Sequence, residues 1–219
     1  MLLARPSKKA IVAALLDQRG TTFAAEAGIN VERNTPSPLF RLLCLSLLQS
    51  ARINSEIAMQ AAKGLAKRRW TTADAMLDST WKQRVDVLND AGYARYQERT
   101  ATMLEDTARL LADRWKSDLR QLRDEADRDP AAERKLLKEF KGLGDVGVDI
   151  FFREVQAAWD ELYPFADRRA LAGAEKLGLG GSAKELARQV SRNDFVPLLA
   201  ALVRVELAGE HDVIREAAR

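Results

Sequence analysis

The most informative chemical pattern in the sequence is a glycine-rich turn at residues 140–147, which reads FKGLGDVG. Gly142 and Gly144 bracket one apolar residue, and glycines so placed permit the positive φ angles of a very tight reversal. Backbone N–H groups there can approach a phosphate, while the helix that follows presents its positive N-terminal end to it. The pattern therefore predicts a hairpin that binds a sugar-phosphate backbone without reading base sequence.

A simpler interpretation of the two glycines is structural. Gly142 then caps one helix and Gly144 begins the next, and this is the commoner meaning of an isolated Gly-x-Gly. Other chemistry is scarce: His211 has no Cys or second His beside it for a zinc site, and Cys44 is the only cysteine, so an internal disulfide and a cysteine-bound cluster are excluded.

The elements around the turn are predicted to be helices, because apolar residues recur at helical spacing and strand signals are nearly absent. Ser7 can cap a first helix through Leu16, and Ser37-Pro38 opens a helix from Leu39 to Ser50 that is apolar on every side, as in a core. Further helices are predicted at residues 55–68, 72–77, 81–89, 95–115, 130–140, 146–162 and 168–177, with a capping box at 182–185 and helices beyond it.

The predicted fold class is all-α, with two helical lobes, a helix-hairpin-helix motif and a cleft between the lobes. One lobe spans residues 37–136, and the other combines residues 1–36 with 137–219. The charged stretch 114–134 is interpreted as a solvated helical face or a mobile connection, without a functional role. The basic residues 67–69 are interpreted as complementing a helix C-terminus, with phosphate contact the less favoured alternative.

Composition leaves the partner open. A net charge of +3 and a pI near 9.1 permit a polyanionic partner without requiring one. The apolar start is too short for a signal peptide and no stretch is long enough to span a membrane, so we expect a soluble, cytoplasmic protein, associated with the nucleoid if the source is a prokaryote.

From about Ser37 to Gly180 the chain resembles the helix-hairpin-helix DNA glycosylase superfamily, and specifically the endonuclease III type. The residues that carry the resemblance are LLCLSLLQSA at 42–51, Gly92-Tyr93, the turn at 142–144, Phe165-Ala166-Asp167 and KLGL at 176–179. Their order and separations agree with the family over most of its core. The resemblance implies double-stranded DNA as the partner and a base flipped out of the duplex as the substrate.

Site residues follow from the same resemblance. Asp167 matches the catalytic aspartate of the family, and residues 49–54 with Tyr93 match the loops that fill the gap left by a flipped base. Within those loops the base-flipping or wedge candidates are Gln49, Ala51, Arg52 and Tyr93, although Tyr93 serves equally well as a packing residue. The backbone-binding candidates are Lys141, Gly142, Leu143, Gly144, Val146, Gly147, Arg168 and Arg169.

The sequence also departs from the family. Bifunctional members carry a nucleophilic lysine just after the hairpin, where this chain has Val146, which cannot form a Schiff base. No cysteine follows Cys44, so no iron-sulfur cluster and no other cofactor is expected; a monovalent cation at the hairpin carbonyls remains compatible with the sequence. Ala51 replaces the wedge glutamine, and Arg169 stands where the family has a histidine.

The resemblance, together with these departures, implies a monofunctional DNA N-glycosylase. A carboxylate at Asp167 can stabilise the positive charge that develops on deoxyribose and activate water, and the start of a helix favours its charged form. Asp is equally a preferred N-cap residue, so a purely structural role stays open. Two further alternatives are a degenerate protein that binds distorted or branched DNA without cleavage, and a helical protein-interaction module.

Overall fold

The computed structural model describes residues 6–51, 53–93 and 95–219, and this part contains helices and no strand, so the all-α prediction is confirmed. Contacts divide it into a middle unit, Ala24–Glu161, and a terminal unit of residues 6–23 with Leu162–Arg219. Across the described ranges, no helix has the length and apolar character that crossing a bilayer requires. The helices are α1 Lys8–Arg19, α2 Phe23–Glu26, α3 Pro36–Ser50, α4 Ser55–Lys67, α5 Ala73–Leu77, α6 Trp81–Asp90, α7 Gln97–Trp115, α8 Leu119–Glu125, α9 Pro130–Leu137, α10 Asp145–Val155, α11 Arg168–Leu177, α12 Ala183–Ala187, α13 Arg192–Ala208 and α14 His211–Ala217.

Helix α3 forms the core of the middle unit. Its side chains are buried on every face, and α4 and α10 pack along it. Burial raises the pKa of the Cys44 thiol to about 12, so this cysteine is an unreactive core residue. The prediction of a central, fully packed helix is confirmed. The buried apolar residues of α3 are Leu39, Phe40, Leu42, Leu43, Cys44, Leu45, Leu47 and Leu48.

The predicted start of α3 was wrong by three residues. The helix begins at Pro36, and Thr35 is the N-cap residue, although its side chain makes no capping hydrogen bond. Both Pro36 and Pro38 fit inside the first turn, because their fixed φ is helical and the N–H groups they lack would have no partner within the helix. Ser37 is therefore a residue of the first turn rather than its cap.

The predicted lobe boundaries also need correction. Residues 24–36 and 137–161 belong to the middle unit, not with the chain ends. The Ala24 N–H donates to Oε2 of Glu154 at 3.0 Å, and Nε1 of Trp159 donates to Oδ1 of Asn34 at 3.1 Å. Since α10 also packs along α3, the hairpin segment is built into the α3 core.

The charged stretch 114–134 is not a mobile connection. It folds into α8 and the start of α9, with Leu119 and Leu122 buried. The side chain of Arg123 makes paired hydrogen bonds to Glu161, with 2.6 Å between Nη2 and Oε2, and lies over the ring of Trp159. The charges therefore alternate with core contacts, as in an amphipathic helix.

Glu133, on α9, is a buried acid in this region. Its side chain is fully buried, and no donor among the described residues reaches either carboxyl oxygen. Burial, reinforced by the nearby carboxyl group of Glu161, raises the pKa of Glu133 to about 8. Burial opposes ionisation of Glu161 as well, but the hydrogen bonds from Arg123 outweigh it and keep the pKa of Glu161 below its usual range. Glu133 therefore keeps its proton near neutral pH.

The terminal unit is organised around α13, whose apolar residues are largely buried. Helices α1 and α11 pack against it. Gly173 of α11 allows the close approach, because a Cβ there would lie 2.7 Å from the carbonyl oxygen of Leu202. Any side chain at this position would separate the two helices.

Helix α14 secures the C-terminal end of α11. Arg215 donates a hydrogen bond to the carbonyl oxygen of Lys176, and the Lys176 ammonium lies 2.6 Å from Oε1 of Glu206 on α13. Nε2 of His211 lies 2.9 Å from the other oxygen of Glu206. These contacts join α11, α13 and α14 at one end of the unit.

Candidate nucleic-acid interface

Gly142 makes the tight reversal that the sequence predicts. Its φ is +92°, a region that other residues rarely adopt, and a Cβ there would lie 2.6 Å from Sδ of Met103. The following N–H, of Leu143, donates to the carbonyl oxygen of Phe140 at 2.9 Å and closes the turn. A residue with a side chain at position 142 would be strained and would collide with α7.

The second glycine leaves the N-terminus of α10 uncovered. Gly144 is the N-cap residue of α10 and so offers no side chain to cap the first turn, and the space where its Cβ would stand is open. The first N–H groups of a helix have no partner within it, and Asp145 and Val146, which carry two of these groups, are exposed residues. This arrangement is the one that an anionic oxygen needs.

Two of the predicted backbone-binding residues instead anchor the hairpin from inside. The Leu143 side chain is buried, and its N–H is already used in the turn. Gly147 is also buried, where a Cβ would lie 2.7 Å from Cδ1 of Leu143 and 3.4 Å from Cβ of Ser50. The burial of Leu143 and Gly147 favours a packing role for both, and their predicted contact with a phosphate stays a prediction.

Val146 stands exposed on the first turn of α10, with 59% of its surface accessible. An isopropyl group has no lone pair to attack a sugar carbon, so this position supplies no nucleophile.

Each basic side chain on the hairpin is paired with an aspartate. Nζ of Lys141 lies 3.1 Å from Asp106 of α7, and Nζ of Lys138 lies 2.8 Å from Asp145. The hydrogen bond from Lys138 holds the pKa of Asp145 below its usual range, so this acid is charged at the very start of α10. Arg134 pairs likewise with Asp149, at 2.6 Å. Attraction for a polyanion at the hairpin therefore comes from the backbone more than from side-chain charge.

The C-terminal end of α3 contacts the hairpin, so the structure brings together two predicted parts of the site. Oγ of Ser50 lies 2.8 Å from the Leu47 carbonyl oxygen and 3.5 Å from that of Gly142. Ala51 ends the helix in extended conformation, and the buried Nε2 of Gln49 has no acceptor among the described residues. Arg52, another predicted wedge residue, lies outside the described residues.

Tyr93 is a core residue in this structure, which contradicts its predicted insertion into DNA. Only 1% of its surface is exposed, and its hydroxyl donates to the carbonyl oxygen of Leu48 at 3.2 Å. Burial raises the pKa of this hydroxyl. The sequence did contain a signal for the burial of Tyr93, because Gly92 follows the end of α6. Gly92 has φ +84°, and the apolar residue that follows such a glycine usually packs back on the helix.

In the terminal unit, Asp167 is the N-cap residue of α11, which runs over Arg168–Leu177 as predicted. Its Oδ1 accepts hydrogen bonds from the N–H groups of Arg169 at 2.8 Å and Ala170 at 3.0 Å, and 6% of its surface is exposed. The capping role predicted as an alternative is therefore confirmed. The two arginines that follow Asp167 are exposed, and neither forms an ion pair within the described ranges.

Comparison with solved structures finds likeness in fold. The chain is similar in fold to endonuclease III. The matched structure is a trapped covalent intermediate of endonuclease III with DNA, an estranged-adenine complex, with a TM-score of 0.47, 14% sequence identity, and coverage of 74% of this chain and 71% of that one. No protein-family model and no curated protein matches the chain. Residue roles must therefore be argued from the geometry of this chain.

Several residues beside the hairpin were not singled out from the sequence. Met103 presses against Gly142, and Asp106 neutralises Lys141. Arg95 and Arg99, around the start of α7, are exposed and form no ion pair in the part of the chain that the structure describes. Helical spacing places Met103 among the regularly spaced apolar residues of α7. Only the tertiary contact with Gly142 shows that this face of the helix meets the hairpin.

Proposed function

We propose that this chain binds double-stranded DNA through the 140–147 hairpin and releases a flipped base by hydrolysis, without a lysine nucleophile. Binding of the DNA backbone is assigned to the middle unit, and the chemistry to a carboxylate of the terminal unit. Base release at this site would leave an intact strand with an abasic sugar.

The observation that carries the DNA-binding part is the uncovered N-terminus of α10. Gly142 reverses the chain at positive φ, Gly144 adds no side chain, and the first residues of an eleven-residue helix are exposed with N–H donors that have no partner within the helix. Helix dipole and N–H groups favour a phosphate oxygen there, and such contacts position a duplex without discriminating between bases.

Asp167 is the residue that we propose for the chemistry. The oxygen of a water molecule would bond to C1′ of the sugar while the C1′–N bond breaks and its electron pair leaves with the base, which takes up a proton. Asp167 would stabilise the positively charged sugar and accept the proton that the water loses. The exposed guanidinium groups of Arg168 and Arg169 favour phosphates nearby. Val146 cannot attack C1′, so strand cleavage would require added alkali.

The test compares the wild type with Asp167→Asn on duplexes that contain uracil, an alkylated purine or an oxidised pyrimidine, followed by alkali treatment. Asparagine is as good an N-cap residue as aspartate, so this variant keeps the fold while it removes the carboxylate. We expect base release from at least one lesion, at least 100-fold slower in the variant. Equal rates in the two proteins would remove Asp167 from the mechanism.

A second function is DNA binding without catalysis. It is favoured by the burial of Asp167, whose Oδ1 is already occupied by two backbone N–H groups. In that case no lesion would be released, while Asp167→Asn would leave the affinity for duplex DNA unchanged. The salt dependence of binding would persist in both proteins.

A further inference from the structure

The hairpin lacks a strong source of ionic attraction for DNA, although duplex binding depends mainly on neutralising phosphates. Lys138 and Lys141 each lie within 3.1 Å of an aspartate oxygen, and Asp145 places a further carboxylate at the first residue of α10. A phosphate at this turn would have to compete with Asp106 and Asp145 for the two lysines. Other cations must supply the counterion release that a duplex-binding protein shows.

Arg99 is placed to do so. It lies four residues before Met103 and seven before Asp106, so the three share one stripe of α7. Met103 contacts the turn at Gly142, and Asp106 pairs with Lys141. Arg99 therefore lies about one helical turn, or about 6 Å along the α7 axis, from Met103, the residue that contacts the hairpin. The Arg99 side chain is exposed, and the neighbouring acid, Glu98, forms no ion pair with it in the described ranges.

Arg95 adds a second cation at the same end of α7. Its guanidinium lies 5.7 Å from the centre of the Tyr96 ring, a cation–π contact that orients the side chain and leaves its charge unneutralised. The end of α3 adjoins this region too, because Tyr93, two residues earlier, bonds to Leu48. Exposed guanidinium groups beside a phosphate-binding turn are suited to bidentate contacts with phosphate.

We infer that Arg95 and Arg99, rather than the hairpin lysines, provide the ionic contacts to the DNA strand that runs across the 140–147 turn. This inference rests on the proposed DNA binding and names residues of the middle unit that contribute to its salt dependence. Two phosphate contacts contribute about 1.8 to the slope of log affinity against log salt, and about 60-fold in affinity at 0.1 M salt.

The experiment measures binding of a fluorescent 20-base-pair duplex by anisotropy between 50 and 200 mM KCl. Arg95→Gln with Arg99→Gln should lower the slope by about 1.8 and the affinity at 0.1 M by about 60-fold. The charge-matched control is Lys67→Gln with Arg68→Gln, at the far end of α4, about 20 Å from its first turn. We expect that control to keep the wild-type slope.

A competing variant, Lys141→Gln with Asp106→Asn, removes an ion pair at the hairpin without changing net charge and tests the lysine directly. A slope lowered by about 0.9 in this variant would assign the ionic contact to Lys141 and overturn the inference. An unchanged slope in the arginine variant, with duplex binding retained, would overturn the inference and leave the proposed function standing. Failure of the wild type to bind duplex DNA at 50 mM KCl would overturn both.

Discussion

The buried carboxyl group of Glu133 makes the stability of the protein depend on pH in a direction opposite to that of most acids. Its pKa is about 8 in the folded chain against 4.5 for a solvated glutamate. A raised folded pKa adds stability that is complete below 4.5 and is lost as the pH rises through about 8, because the proton must then leave a fully buried group.

Glu133→Gln keeps the shape of the side chain and removes this titration. Each pH unit between the two pKa values changes the balance by about 1.4 kcal/mol. The stability of the variant relative to the wild type should therefore increase by about 2–3 kcal/mol between pH 5.5 and 7.5. The other acids titrate in both proteins, so the difference between the two proteins isolates Glu133.

Urea denaturation of both proteins at half-unit pH steps gives this difference directly. Infrared spectroscopy provides an independent readout, since a protonated carboxylic acid at pH 6.5 should give a carbonyl band that is missing from the variant. A stability difference that stays constant within about 0.5 kcal/mol over this pH range would refute the reasoning. So would the same infrared spectrum for the two proteins.

Five other substitutions, at four positions, test the geometry of the candidate site by urea denaturation. Asp167→Ala should lose about 1 kcal/mol of stability while Asp167→Asn loses almost none, since only alanine fails to cap α11; equal losses would mean that the cap contributes nothing. Gly142→Ala should cost about 1–2 kcal/mol because of its φ of +92°, whereas Gly144→Ala, with open space around it, should change stability by under about 0.5 kcal/mol. Tyr93→Phe should cost about 1 kcal/mol through the lost bond to Leu48 and leave duplex affinity unchanged; a weakened affinity would restore the insertion role.

Local signals were enough to predict most of the helices. The bounds of α11 and its cap at Asp167 agree with the sequence, because an N-cap residue, an amphipathic stripe and a terminal glycine coincide there. The start of α3 was missed because Ser37-Pro38 looks like a cap, while the earlier proline at position 36 begins the helix just as well. Both choices satisfy the same local rules, so only packing decides between them.

The candidate site was less predictable, because its properties depend on residues far apart in the sequence. Asp106 neutralises Lys141 from 35 positions away, and Met103 closes on Gly142 from a similar distance. The sequence made Tyr93 a candidate for insertion into DNA, whereas in the structure its hydroxyl donates a hydrogen bond to the Leu48 carbonyl oxygen. A pattern of residue types identifies which groups can do chemistry, but pairing and burial decide which of them remain available.

Helix α11 is held at three points along its length: by the Asp167 cap, by the contact of Gly173 with α13, and by Arg215 at its far end. The helix is therefore held at its start, near its middle and at its end. The position of the Asp167 carboxylate within the terminal unit therefore depends on the folding of a residue more than 40 positions downstream in the sequence.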